Sequence, residues 1–183
     1  IPQQDADAAQ TLSTARTIGC FQTESPGMRM TLRELSTRTV NDLIVALALY
    51  RPGPLKGGLK DAFVRRHLGQ EPAEYLHPAL EPILRETHGV ILYQEQVLRI
   101  AHEVAGFSLG DADILRRAMS KFRSAHEMER LHTQFVADAQ ATSGLDATLA
   151  QQVWELMAAF AGYGFPNAPT CTRLTASTYC GCA

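Results

Sequence analysis

Apolar positions along this chain recur at spacings of three and four residues far more than at two, the mark of helices with one buried stripe. Apolar side chains at 90, 91, 97, 98, 101, 104 and 105 predict one long helix over Val90–Ala105, ended by Gly106. Met128, Leu131, Phe135 and Ala139 predict a helix over Met128–Ala141. Leu149, Val153, Leu156, Met157 and Phe160 predict another over Ala147–Ala161. Shorter helices are expected at Met28–Leu35, Leu43–Tyr50, Leu59–Leu68 and Ala79–Thr87. Helix breakers and caps mark their ends: Pro26-Gly27 is a turn, Asn41-Asp42 can cap, the residue before Pro52 avoids helical geometry, and Gly69 closes the fourth. Ser108 opens a further helix, with Asp111 three residues on in the manner of a capping box and Asp113 in the first turn. Thr17–Ser25 alone reads as a short strand running into a turn. The fold class expected is mainly α, with little or no strand.

Three stretches differ in texture. Residues 1–16 are polar and alanine-rich and read as a linker or the truncated edge of a preceding region, the first residue being Ile1 rather than Met. Residues 17–165 carry the helical pattern. Residues 166–183 lose it and are rich in Thr, Ser and Cys, an aberrant or disordered tail. The patterned body holds Cys20 alone, which fits a reducing cytoplasm, and the tail cysteines lack metal-site spacing. The longest apolar run, Leu43–Tyr50, is far short of the ~20 residues of a membrane span, so no membrane role is expected.

Net charge is −2, from 17 basic and 19 acidic residues, so composition does not advertise a nucleic-acid partner. Distribution says more. Arg51, Lys56, Lys60, Arg65 and Arg66 face one acid, Asp61, within residues 51–70, and Arg116, Arg117, Lys121 and Arg123 face none within residues 114–126. Arginine presents a planar fork matched to phosphate, and Lys121 falls on the face of Arg117. The plainer reading pairs Asp113 with Arg116 or Arg117 as a solvated ion-paired face, and both readings stand. Arg51-Pro-Gly-Pro54 is either a rigid turn or a loop that lets a ligand approach its backbone. Tyr93-Gln94-Glu95-Gln96 is either a buried polar network or a contact to base or sugar. Gly162-Tyr163-Gly164-Phe165 presents a ring that stacks on a ligand or packs under its turn. The six histidines show no metal-ligand spacing, and no glycine-rich phosphate loop or nucleophile elbow is present.

Taken together, Phe21-Gln-Thr-Glu-Ser25, Arg51-Pro-Gly-Pro54, Leu92-Tyr-Gln-Glu-Gln96, Leu115-Arg-Arg-Ala-Met119 and Gly162-Tyr-Gly-Phe165 resemble the bacterial DNA polymerase III alpha subunit, the C-family polymerase, from about Thr17 to Phe165. The resemblance implies the helical fingers region of a larger enzyme for DNA replication in the cytoplasm. It implies incoming-nucleotide contacts from Arg116, Arg117, Lys121, Gln94 and Tyr163, and DNA-backbone contacts from Arg51, Lys60, Arg65 and Arg66. Partners would be primer-template DNA and deoxynucleoside triphosphates, with the sliding clamp and proofreading subunit engaged by other regions. The family's catalytic aspartates and their Mg2+ ions belong to the palm, outside this stretch, so the isolated chain is expected to be inactive and to hold no catalytic or metal-ligating residue. Asp111-Ala-Asp113 has the letters of such a pair but sits at a helix start, where the helix dipole explains it. After Phe165 the family places a lysine, a small residue and a histidine, whereas Asn167, Ala168 and Pro169 stand here, which reads as a frame error or a degenerate gene end. Gly57-Gly58 and Gly164-Phe165-Pro166 lean towards the error-prone, translesion branch, other blocks towards the replicative one. A stand-alone, non-catalytic helical nucleic-acid-binding module is the alternative from another class.

Overall fold

A computed structural model describes residues 5–50, 58–120 and 125–160. These fall into two compact units, one ending at Glu71 and one beginning at Pro72. The described residues are helical and contain no strand, as the mainly α expectation requires. Arg51, Lys121, Tyr163 and the tail from residue 166 lie outside them.

The first unit opens with α1 (Ala6–Ser13), where a linker was expected. Asp5 explains it: its carboxylate accepts from the N–H groups of Asp7 and Ala8, both at 3.0 Å, satisfying orphan donors at the helix start. Alanine-rich sequence favours helix, and buried Leu12 supplies the anchor that holds α1 to α2 (Pro26–Glu34). Arg29 Nε adds a bond to the Ala15 carbonyl at 2.9 Å.

The expected strand at Thr17–Ser25 is instead a knot of turns. Thr17 Oγ1 donates to the Thr23 carbonyl (2.6 Å), Thr23 Oγ1 donates to the Cys20 carbonyl, and Ser25 caps α2 by accepting from Met28 N–H. Side-chain hydroxyls thus take the backbone partners a strand would have used. In α3 (Val40–Leu49) the cap is Thr39, not Asn41: Thr39 Oγ1 accepts from Asp42 N–H at 3.1 Å, and the Asp42 carboxylate accepts from Thr39 N–H at 2.9 Å. α4 (Leu59–His67) follows, with Phe63 wholly buried. Leu12, Met28, Leu32, Leu35, Leu43, Ile44, Leu49 and Phe63 are the apolar interior of this unit.

The second unit begins with a 3₁₀ turn (Pro78–Leu80), short α5 (Glu81–Leu84) and a second 3₁₀ turn (Arg85–Thr87). Residues 90–93 are not helical; α6 starts only at Gln94 (Gln94–Arg99). The cause is Gln96, whose buried amide accepts from Leu92 N–H (2.8 Å) and Tyr93 N–H (3.0 Å) and donates to Thr87 Oγ1 (2.7 Å). That side chain satisfies backbone donors that a continuing helix would have satisfied, and it fixes the extended entry to α6. α6 then widens into a π turn (Ile100–Val104), where Ala105 N–H donates to the Ile100 carbonyl five residues back. Gly106, at φ +71°, ends the run, and a Cβ there would stand 2.7 Å from Thr142 Oγ1.

α7 (Leu109–Ser120), α8 (Ala125–Ser143) and α9 (Ala147–Phe160) complete the unit. Its core joins Val97, Ile100 and Val104 to Leu115 on α7, Leu131 and Phe135 on α8, and Val153 and Met157 on α9. Phe135 lies 6.2 Å edge-on from Phe107 and 5.6 Å from Trp154, spacings at which aromatic pairs attract.

Candidate functional site

α7 divides sharply into two faces. Ala112, Leu115, Ala118 and Met119 are buried, which fixes the helix's rotation about its axis. The cap is the one read from sequence: Ser108 Oγ accepts from Asp111 N–H at 3.1 Å and donates to the Asp111 carboxylate at 2.6 Å. Buried residues at 112, 115, 118 and 119 leave Asp113, Arg116 and Arg117 on the outer side.

Neighbouring helical residues project about 100° apart, so Arg116 and Arg117 need a third group to meet. Asp113 is that group, lying three residues before one and four before the other. Its Oδ1 accepts from Arg116 Nε (2.9 Å) and Nη2 (2.8 Å), and its Oδ2 accepts from Arg117 Nη2 (2.6 Å). The Arg116 hydrogen bond, and then the charges of Arg116 and Arg117, hold the Asp113 carboxyl below the usual carboxylate range. The ion-paired helix face that the sequence offered is therefore present, and in it two guanidinium forks converge on one anionic group.

Gln94, on α6, joins them. Its Oε1 accepts from Arg116 Nη1 at 3.2 Å across a sequence separation of 22 residues. Arg116 thus has Asp113 on one side and Gln94 on the other and is 27% exposed at its side chain, whereas Arg117 is 64% exposed. Beside Gln94, burial first and then the charges of Glu86 and Glu95 push the Tyr93 hydroxyl up to about 12. Of the Tyr93–Gln96 block, Gln96 belongs to the buried network and Gln94 to the arginine cluster.

The basic residues of α4 are placed separately, in the first unit. Lys60 is 9% exposed, and its Nζ meets Glu34 Oε2 on α2 at 2.5 Å. Arg65 is exposed and paired with Glu71 at 2.6 Å, and Arg66 is half-buried. Sequence reasoning did not foresee Glu34 as the partner of Lys60. The two are 26 residues apart, and no local spacing announces the contact.

Among the described residues, the carboxylates of α7 do not fit a catalytic metal pair. Asp111 is committed to its cap and Asp113 to two guanidinium groups whose charge opposes a cation, and among the described residues no group of three His, Cys, Asp or Glu side chains could hold an ion. Among them, too, no helix is long and apolar enough to cross a membrane.

Residues 1–143 match the family model of the bacterial DNA polymerase III alpha subunit finger domain. The chain belongs to that family. The matched span takes in α1. Relatives agree. The DNA polymerase III subunit alpha of Staphylococcus epidermidis is 47% identical over 169 residues, 92% of this chain and 15% of its own. That of Caulobacter vibrioides is 44% identical over 165 residues, 90% of this chain and 14% of its own. The error-prone DNA polymerase of Corynebacterium jeikeium is 46% identical over 156 residues, 85% of this chain and 14% of its own. The finger domain chain therefore spans about a seventh of the length of these relatives.

Proposed function

We propose that this chain is the part of a template-directed DNA polymerase that grips the triphosphate of the incoming nucleotide and steadies the DNA backbone. The observation that carries the reading is the convergence of Arg116 and Arg117 on the Asp113 carboxylate, with Gln94 holding Arg116 from the far side. Two always-charged forks brought to one anion are what a chain of phosphates needs. Arg116 is the pre-positioned contact and Arg117 the exposed one; Lys121 and Tyr163, which lie outside the described residues, are assigned to the nucleotide on the family resemblance alone. Arg51, Arg65 and Arg66 serve the DNA backbone, a sequence-independent and salt-sensitive role, and Lys60 joins them by exchanging Glu34 for a phosphate. The Mg2+-dependent transfer chemistry belongs to carboxylates outside this chain, and so do the contacts with the sliding clamp and the proofreading subunit. The setting is the cytoplasmic replisome. Identities of 46% and 47% to an error-prone and a replicative relative give neither branch precedence.

The purified chain should extend no primer and should bind DNA and deoxynucleoside triphosphates weakly, with binding falling as salt rises. The deciding test replaces Arg116 and Arg117 together by alanine and follows both ligands by calorimetry. Loss of nucleotide binding supports the polymerase reading. Loss of DNA binding alone supports a non-catalytic nucleic-acid module, and no loss of either leaves the arginines as surface ion pairs.

A further inference from the structure

We propose that Asp113 is a resident counter-anion that occupies the triphosphate seat when no nucleotide is bound and is displaced by the incoming phosphates. The inference deepens the function proposed above and rests on it. Both carboxylate oxygens face guanidinium groups, one shared by two nitrogens of Arg116 and the other by Arg117. No other acid in the described part of α7 stands where both arginines reach it, since Asp111 is turned to Ser108.

The charges make the argument. Two arginines and one aspartate leave the cluster at +1, with its strongest donors already engaged at 2.6–2.9 Å. A triphosphate approaching this cluster meets guanidinium donors that must exchange one acceptor for another, and it meets the carboxylate as a like charge. Asp113 lies partly in solvent, so exchange is easy: exposed pairs of this kind hold only weakly, while charge-assisted bonds to phosphate oxygens are bidentate and stronger. The same carboxylate keeps Arg116 and Arg117 gathered between visits, so the seat does not have to be assembled from two independently mobile side chains. Asp113 is therefore a positioning residue with a cost, one that orders the forks and lowers their affinity.

Two roles that oppose each other can be told apart by sign. Asp113→Asn removes the charge and keeps the shape, and Asp113→Ser removes both charge and reach. Inorganic triphosphate is the probe, titrated calorimetrically into the full chain and into variants whose helical circular dichroism and thermal transition match the parent. The expected result is binding roughly tenfold tighter in Asp113→Asn, about 1.4 kcal/mol, with a steeper dependence on salt as the freed arginine charge is felt. Structural damage would weaken binding, so tightening cannot come from that source. Adding Arg116→Ala and Arg117→Ala to the asparagine variant should abolish the gain; a gain that survives overturns the inference. Equal or weaker binding by both Asp113 variants, with the arginine pair still required in the parent chain, overturns the counter-anion role and leaves the triphosphate site standing. Absence of triphosphate binding in every form overturns both.

Discussion

Replacing Gln96 by leucine should loosen the second unit more than any other single polar-to-apolar change near the site. The amide is 6% exposed and holds Leu92 N–H and Tyr93 N–H at 2.8 and 3.0 Å, and it donates to Thr87 Oγ1 at 2.7 Å. Leucine fills the space but leaves two buried N–H groups without an acceptor, at about 1–3 kcal/mol each. Thr87 suffers less, because its hydroxyl still donates to the Leu84 carbonyl at 3.2 Å. Part of the cost is offset by the added apolar burial, so the net loss should be about 2–4 kcal/mol. Urea unfolding followed by tryptophan fluorescence is the assay, since the chain's one tryptophan, Trp154, sits 7% exposed in the core of this unit. With a slope of about 1–3 kcal/mol/M the midpoint should fall by about 1–2 M. Gln94→Leu is the comparison, expected to cost less than about 1 kcal/mol as a partly exposed change while disturbing Arg116. If the Gln96 variant unfolds at the parent's midpoint, the amide does not pin the extended entry to α6 and the account of where α6 begins is wrong.

Two other expectations follow from pairs and burial. Tyr93 is an acid whose folded value is raised from 10.0 to about 12, so the folded chain keeps its proton where the unfolded chain releases it. Stability should be full below about pH 10 and decline by about 2–3 kcal/mol as pH rises towards 12; Tyr93→Phe should flatten that decline in alkaline melts, and an unchanged decline would assign it elsewhere. Glu34→Gln releases the Lys60 ammonium from its carboxylate. DNA binding measured against salt should then steepen by about one counterion, and an unmoved slope would remove Lys60 from the DNA contacts.

Much of the fold was legible because helices announce themselves by period and cap. Ser108 and Asp111 stand in the structure as the sequence placed them, and Met128, Leu131 and Phe135 mark a helix that runs somewhat further at both ends than their stripe requires. α1 was missed because its one apolar anchor, Leu12, makes no periodic stripe, and its formation depends on the Asp5 cap and on packing against α2. Val90 and Ile91 fit the helical period yet lie outside any helix, since a side chain three residues into α6 claims the donors ahead of it. Periodicity reports burial, and buried residues outside a helix satisfy it by accident. The candidate site divides the same way. Asp113, Arg116 and Arg117 meet at local helical spacing and could be read as a group, whereas Gln94 reaches Arg116 only because α6 and α7 pack together.

The wide turn at Ile100–Val104 has a bearing on how this gene can vary. One residue more than a regular turn is accommodated between Val97 and Phe107, and Val104, Ala105 and Phe107 all reach the core with that extra step in place. A helical residue turns the chain by about 100°, so a single-codon deletion or insertion in this interval would swing Val104 and Ala105, the last residues before Gly106, out of phase with Leu115, Phe135 and Val153. Substitutions of similar bulk should persist here among descendants of this gene while changes in length are purged. The interval is a counting device, and what it conserves is number rather than identity.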